Sequence, residues 1–106
     1  MLHKDLAAYY KLDARTDGNR RVETDTLVDA VYRITIGDSL IIEKSLSGEG
    51  LTIDHSDADG DGFLFVTIAN NELKYSGKMT HSLYTVDCEG NKYPVKLRPD
   101  FLMVEP

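Results

Sequence analysis

The stretch Ala30-Val31-Tyr32-Arg33-Ile34-Thr35-Ile36 has the periodicity of a β-strand. Successive side chains of a β-strand point to opposite faces of the sheet, so alternating positions form two sets. One set is Ala30, Tyr32, Ile34 and Ile36, and the other is Val31, Arg33 and Thr35. The first set is apolar throughout, whereas the second contains the polar side chains. We therefore predict a strand whose first set faces a core.

Short runs rich in β-branched and aromatic residues fill most of the chain around this stretch. They are separated by turn signals, in which Gly, Asn and Asp supply the backbone conformations of a tight reversal. The predicted strand segments are Val28–Ile36, Leu40–Leu46, Leu51–His55, Phe63–Ile68, Met79–Asp87 and Tyr93–Val104. Six or seven strands at this spacing, without long helices between them, predict a single all-β domain built as an antiparallel sandwich or barrel.

Three segments leave alternatives open. Leu6–Leu12 fits either a short helix or a first strand, because its alanines favour a helix and its tyrosines favour a strand. Asn70–Tyr75 has room only for one helical turn or a loop. Pro94 and Pro99 cannot donate to a ladder, so the last segment is either an edge strand or two strands broken near Pro99.

Composition limits the classes of partner. The 106 residues carry 18 acidic and 12 basic side chains, a net charge of −6, so nucleic acid is not expected as a partner. No apolar run approaches the roughly 18 residues that span a bilayer, so a membrane is not expected either. The single cysteine, Cys88, excludes an internal disulfide and a thiolate-rich zinc site.

Three segments are apolar at consecutive positions and therefore on both faces of a strand: Leu40–Ile42, Phe63–Val66 and Phe101–Val104. A strand in a two-layer sandwich needs apolar side chains only toward the core. The second apolar face is then covered either by a loop or by another subunit. We favour a homo-oligomer, because a domain of this size buries a limited share of its surface alone. The predicted interface residues are Phe63, Phe65, Val66, Phe101 and Met103.

An acidic motif, Asp57-Ala58-Asp59-Gly60-Asp61-Gly62, matches the opening of an EF-hand loop. Calcium is bound by about six to eight oxygens, which carboxylates of Asp57, Asp59 and Asp61 can supply in part. The twelfth loop position, normally a bidentate Glu, is Ile68, and no helix pattern follows. Two interpretations stay open: a solvated acidic hairpin turn with no cofactor, or a calcium-dependent binding module that is not an EF-hand.

No catalytic residues are predicted. His3, His55 and His81 are scattered without metal-ligand spacing, and no serine follows a nucleophile-elbow pattern. His81 is expected to face solvent or an interface. Cys88 lies between Asp87 and Glu89, two anions that disfavour its thiolate. An enzyme would need a pocket that holds His55 or His81 beside carboxylates.

The order of strands and turns from Thr16 to the C-terminus resembles a known family, the immunoglobulin-like β-sandwich of tailed-phage and prophage structural proteins. The N-terminal domain of phage baseplate upper proteins is one example. The matching pieces are Asp17-Gly18 with Thr24–Leu27, Lys44–Ile53, Phe65–Ile68 with Leu73 and Gly77, Leu83–Asp87 with Glu89-Gly90, and the closing Leu97, Phe101, Val104 and Pro106.

This resemblance implies an immunoglobulin-like sandwich of about seven strands, with one short helical turn at most. It transfers no active-site residue. It implies a non-enzymatic virion, tail, baseplate or head-tail connector protein that acts through self-assembly and contacts with other phage structural proteins. The implied location is the virion, and the host cytoplasm before assembly.

Overall fold

A computed structural model describes residues 2–55 and 62–106, and in these ranges it contains ten β-strands and no helix. The strands are β1 (Leu2–His3), β2 (Ala8–Lys11), β3 (Ala14–Arg15), β4 (Asp29–Ile36), β5 (Ser39–Ser45), β6 (Leu51–Asp54), β7 (Phe63–Ile68), β8 (Gly77–Val86), β9 (Lys92–Leu97) and β10 (Phe101–Glu105).

The strands form two sheets. The large sheet has the order β1-β10-β8-β4-β5, and β9 adds to it by pairing with β8 and with β3. The small sheet has the order β2-β7-β6. All pairs are antiparallel except β1 with β10. The predicted all-β, mainly antiparallel sandwich is thus confirmed.

Strand β4 lies near the middle of the large sheet, between β5 and β8. Ala30, Tyr32 and Ile34 are completely buried, as their alternation predicts. Ile36 belongs to the same set but is 37% exposed, because it lies at the end of the strand beside the β4–β5 turn. The period of two therefore identifies the core face, although it does not show where that face leaves the core.

The open alternatives are resolved toward strands. Leu6–Leu12 contains β2, and the last segment divides into β9 and β10 around Pro99. Asn70–Tyr75 contains a turn, so the helical turn is not found there. β1 and β3 were not predicted, since two residues are too few to show a period.

A hydrophobic cluster of buried residues lies between the sheets. The large sheet contributes Tyr32, Ile34 and Met79, and the small sheet contributes Val66 and Ile68. Val66 is fully buried in this cluster, so its prediction as an interface residue is wrong. The cause is the alternation of β7, whose even-numbered residues all face inward.

A polar contact also links the large sheet to the turn that follows β7. Lys44 on β5 is buried, and its ammonium contacts the carboxylate of Glu72 in the turn after β7. The aliphatic stem of Lys44 passes directly over Gly50, which has a φ of 87°. A Cβ at Gly50 would overlap the Lys44 Cδ. Only glycine satisfies both the left-handed backbone and this close approach.

Candidate interaction surfaces

The outer face of the small sheet carries aromatic side chains. Because Leu64, Val66 and Ile68 point inward, the intervening Phe63 and Phe65 point away from the core. Both are only partly covered. We call the set Tyr9, Lys11, Asp54, Phe63 and Phe65 the outer aromatic face.

Tyr9 and Phe65 form the centre of this face. Their ring centroids are 4.8 Å apart at an interplanar angle of 60°, an edge-to-face pair. The Tyr9 hydroxyl donates to Asp54 Oδ2 at 2.6 Å, and this bond to a carboxylate raises the pKa of Tyr9. Tyr9 is nevertheless 51% exposed. The rings are therefore fixed in place and remain open to solvent.

Cations cover the Phe63 end. Lys11 Nζ lies 4.2 Å and the Arg21 guanidinium carbon 4.5 Å from the Phe63 ring centroid. Arg21 also donates to the carbonyl of Gly62 at 2.9 Å. The Arg21 guanidinium is thus held by the backbone just before β7 begins, and its positive charge lies beside the aromatic rings.

A second apolar surface lies at the β10 edge of the large sheet. Among the residues that the structure describes, β1 covers this edge only by pairing with Val104 and Glu105. A groove of about 320 Å³ lies beside β1. It is lined by Leu2, Tyr10, Pro99, Phe101, Leu102 and Met103, which we call the β10 groove.

Two predicted interface residues, Phe101 and Met103, line this groove. Met103 is 44% exposed, and Lys78 Nζ lies 4.8 Å from the Phe101 ring centroid. Phe101 and Met103 alternate with the inward-facing Leu102, so they lie on the outer side of the large sheet. The predicted interface residues Phe63 and Phe65 therefore lie on the outer aromatic face, and Phe101 and Met103 lie in the β10 groove.

A chain of hydrogen bonds joins β2 of the small sheet, through β4 and β8 of the large sheet, to the segment between β9 and β10. The Tyr10 and Tyr32 hydroxyl oxygens are 3.0 Å apart, and the Tyr32 hydroxyl is 2.8 Å from His81 Nδ1. His81 Nε2 is 2.5 Å from the carbonyl oxygen of Pro99. His81 is only 8% exposed. The expectation that His81 faces solvent or an interface is therefore wrong, since it shares the inward side of β8 with Met79.

Burial sets the protonation of these groups. Desolvation raises the pKa of Tyr10 to about 12 and raises that of Tyr32 further. Desolvation also lowers the pKa of His81, although the Pro99 carbonyl and Asp100 act in the opposite direction. Tyr10, Tyr32 and His81 are therefore uncharged near pH 7.

His81 also lines an open cleft of about 460 Å³ that includes Asp100. An enzyme was expected to need a pocket that holds a histidine beside carboxylates, and this cleft holds His81 and Asp100. Both imidazole nitrogens, however, are engaged within the fold, Nδ1 by Tyr32 and Nε2 by Pro99. A general base needs a nitrogen within reach of a substrate proton, so this arrangement favours a structural role for His81.

The predicted calcium ligands Asp57, Asp59 and Asp61 lie outside the described residues. Within residues 2–55 and 62–106, no three His, Cys, Asp or Glu side chains are grouped so as to hold a metal ion. The same ranges include no helix with the length and apolarity to cross a membrane. Comparisons with protein-family models, curated proteins and solved structures found no match.

Sequence reasoning missed the tyrosines of both surfaces. Tyr9 and Tyr10 are adjacent, and their strand places one outside and one inside. The signal was present in the alternation of Ala8, Tyr10 and Leu12 against Tyr9 and Lys11, but a helix remained an equal alternative there. The contact of His81 with Pro99 joins residues that no local pattern connects.

Proposed function

We propose that this chain is a non-enzymatic structural protein that acts by self-assembly and by docking to other structural proteins. The observation that carries the proposal is the outer aromatic face, where Tyr9 and Phe65 form an ordered pair on the side of β2 and β7 away from the core. Rigid aromatic side chains with a polar tip are enriched at protein interfaces. Their burial against a partner would remove apolar area from water.

The position of the β10 groove favours a head-to-tail mode of assembly. The outer aromatic face and the β10 groove are two separate surfaces with different linings. Two different surfaces that contact each other generate rings or stacks, whereas a two-fold dimer uses one surface twice. The cations beside Phe63 would add electrostatic orientation to such a contact.

The resemblance to phage and prophage structural domains supplies the biological setting of the proposal. In that setting the chain would be a virion or tail-assembly component, with other phage structural proteins as further partners. The all-β sandwich is compatible with this role. The engagement of both His81 nitrogens supports the non-enzymatic part.

Sedimentation velocity over a range of protein concentrations tests the contact surface. We expect Phe65→Thr to weaken self-association by about 10- to 100-fold, because truncating an aromatic anchor commonly costs about 1.4–3 kcal/mol of binding free energy. Threonine keeps the β-propensity of the strand. The folded sandwich should therefore persist in this variant.

Two controls separate association from stability and from general hydrophobicity. Val66 follows Phe65 in sequence but lies in the core. Val66→Ala should therefore lower the stability of the fold, and it should leave self-association unchanged under conditions in which the variant is folded. Val28→Thr removes an apolar side chain that is 60% exposed outside both surfaces, and should change neither. Equal association of the wild type and Phe65→Thr would overturn the assignment of this face.

A further inference from the structure

A separate pocket of about 310 Å³ lies between the end of β8, the start of β9 and the segment that connects β3 to β4. We call it the β8–β9 pocket. It shares no lining residue with the outer aromatic face or with the β10 groove. Its volume is at the lower end of the range of small-ligand sites, so we examined what its lining could bind.

Thr85 forms the floor of this pocket. It lies on the inner side of β8, as Leu83 does, and is only 5% exposed. Its partner across the β8–β9 ladder is Tyr93. Residues directly opposite each other in a ladder share one side of the sheet, yet Tyr93 is 50% exposed. The inner side of the large sheet is therefore open to solvent at this end of the ladder.

The fold does not use the Thr85 hydroxyl. In the described part of the chain the buried polar or charged residues are Thr24, Lys44, His81 and Thr85, and the side chains of the first three form hydrogen bonds. The Thr85 hydroxyl has no hydrogen-bond partner among residues 2–55 and 62–106. No fully enclosed side-chain polar atom in these ranges is without a partner, so this hydroxyl is not sealed in the core. It opens into the β8–β9 pocket, where it can donate to or accept from a ligand.

The charged groups of the pocket are all acidic. Asp17, Glu23 and Asp87 line it, and its lining contains no lysine, arginine or histidine. Asp17 and Glu23 are exposed, and neither forms an ion pair with a cation of the described residues. Asp87 is held in place by two backbone N–H donors of the following turn and by the Tyr93 hydroxyl at 3.0 Å. Three carboxylates around one concave space attract a cation and repel an anion.

The remaining walls are suited to an organic cation rather than to a metal ion. Val22, Leu27 and Val95 contribute apolar surface, against which a hydrocarbon stem can pack. Tyr93 contributes an exposed ring, on which a planar guanidinium stacks better than a compact ammonium. A guanidinium also has five N–H donors, enough for the Thr85 hydroxyl oxygen and for carboxylates at the same time.

We propose that the β8–β9 pocket is a binding site for an alkylguanidinium, the chemistry of an arginine side chain. The Thr85 hydroxyl accepts a hydrogen bond from the guanidinium, the Tyr93 ring stacks on it, and Asp17, Glu23 and Asp87 balance its charge. The ligand is either a small free molecule or an arginine of a partner protein. The inference does not depend on the proposed self-assembly, because the pocket is separate from the two surfaces assigned to that contact.

Titration of the protein with butylguanidinium, followed by NMR, tests the site. We expect saturable shifts of the Thr85 amide and the Tyr93 ring, and none with pentanoate, an anion with a stem of similar length. Thr85→Val should raise the Kd by about tenfold, because it removes a hydrogen bond to a charged group. The same variant should not lower the stability of the fold, since the hydroxyl has no partner in the described residues. A merely structural hydroxyl would give the opposite pair of results.

Glu23→Gln and Glu49→Gln form a matched pair, because both residues are exposed and only Glu23 lines the pocket. Glu23→Gln should raise the Kd by about two- to fivefold, and Glu49→Gln should leave it unchanged. This pair also decides the matter if Thr85→Val does not fold.

A peptide, acetyl-Gly-Arg-Gly-amide, separates the two sources of the ligand. Tighter binding of the peptide than of butylguanidinium would assign the site to an arginine of a partner protein, and weaker or equal binding to a small molecule. Shifts that do not saturate, equal shifts with pentanoate, or equal Kd values for Glu23→Gln and Glu49→Gln would overturn the site.

Discussion

The ammonium nitrogen of Lys44 lies 2.6 and 2.8 Å from the two carboxylate oxygens of Glu72. This contact connects an edge strand of the large sheet to the turn after the middle strand of the small sheet. The two partners differ in burial, since 8% of the Lys44 side chain and 35% of the Glu72 side chain are exposed. The hydrogen bond from Lys44 holds the pKa of Glu72 below its usual range.

This asymmetry predicts unequal mutational costs. Glu72→Ala leaves a buried ammonium without its counter-ion, and we expect a loss of about 2 kcal/mol in the free energy of unfolding. Lys44→Met leaves a carboxylate that water can reach, and we expect a loss of about 1 kcal/mol or less. Urea denaturation of both variants measures the difference. A larger loss for Lys44→Met would contradict the burial difference on which the prediction rests.

The same pair predicts a dependence on pH. The folded-state pKa of Glu72 is lowered from its ordinary value of 4.5, so the stabilisation is complete above pH 4.5 and disappears as the pH falls through the folded-state pKa. The stability difference between the wild type and Lys44→Met should therefore be constant from about pH 7 to pH 5 and shrink below that range. A difference that grows in acid would show that Glu72 is not the titrating partner.

Two glycines allow a matched test of the close approach at Lys44. Gly50 and Gly90 have nearly equal positive φ values, 87° and 83°, but a Cβ would overlap Lys44 only at Gly50. Gly90→Ala should cost about 1 kcal/mol for the backbone conformation alone. Gly50→Ala should cost more, by about 1–2 kcal/mol, since overpacking adds to the backbone strain. Equal losses in thermal or urea unfolding would show that the Lys44 stem moves aside freely.

The tyrosines of the buried chain should also differ in importance. Tyr32→Phe removes the link between Tyr10 and His81 Nδ1 and leaves an imidazole acceptor without its donor, so we expect a loss of about 1–3 kcal/mol. Tyr10→Phe removes only the terminal donor of a partly buried side chain, so we expect about 1 kcal/mol. Equilibrium unfolding at pH 7.5 measures both. A greater loss for Tyr10→Phe would contradict the inference that the Tyr32 hydroxyl contributes more to stability than the Tyr10 hydroxyl.

Much of the fold could be predicted because its signals are local. The alternation from Ala30 to Ile34 determines which face is buried, and Pro99 marks the break between β9 and β10. The pairing partners could not be predicted, because β-ladders join residues far apart in sequence. β1 and β10 pair from opposite ends of the chain, and no local pattern encodes that contact.

The candidate surfaces were predicted less completely. Phe63 and Phe65 were identified by apolar residues on both faces of one strand, and the structure places them outside the core. Val66 was included because a continuous apolar run does not show which of its residues face inward. His81 was misplaced because a histidine within an alternating strand can be either exposed or hydrogen-bonded inside. Its long-range partners, Tyr32 and Pro99, decide between these alternatives.

The most direct test of self-assembly is the molar mass of the wild-type protein by light scattering, coupled to size-exclusion chromatography over a wide range of concentrations. The monomer mass is 11.9 kDa. We predict a mass that rises with concentration to a multiple of this value, and that returns toward the monomer mass in Phe65→Thr. A constant monomer mass at the highest concentration would contradict the proposal that this chain is a self-assembling structural protein.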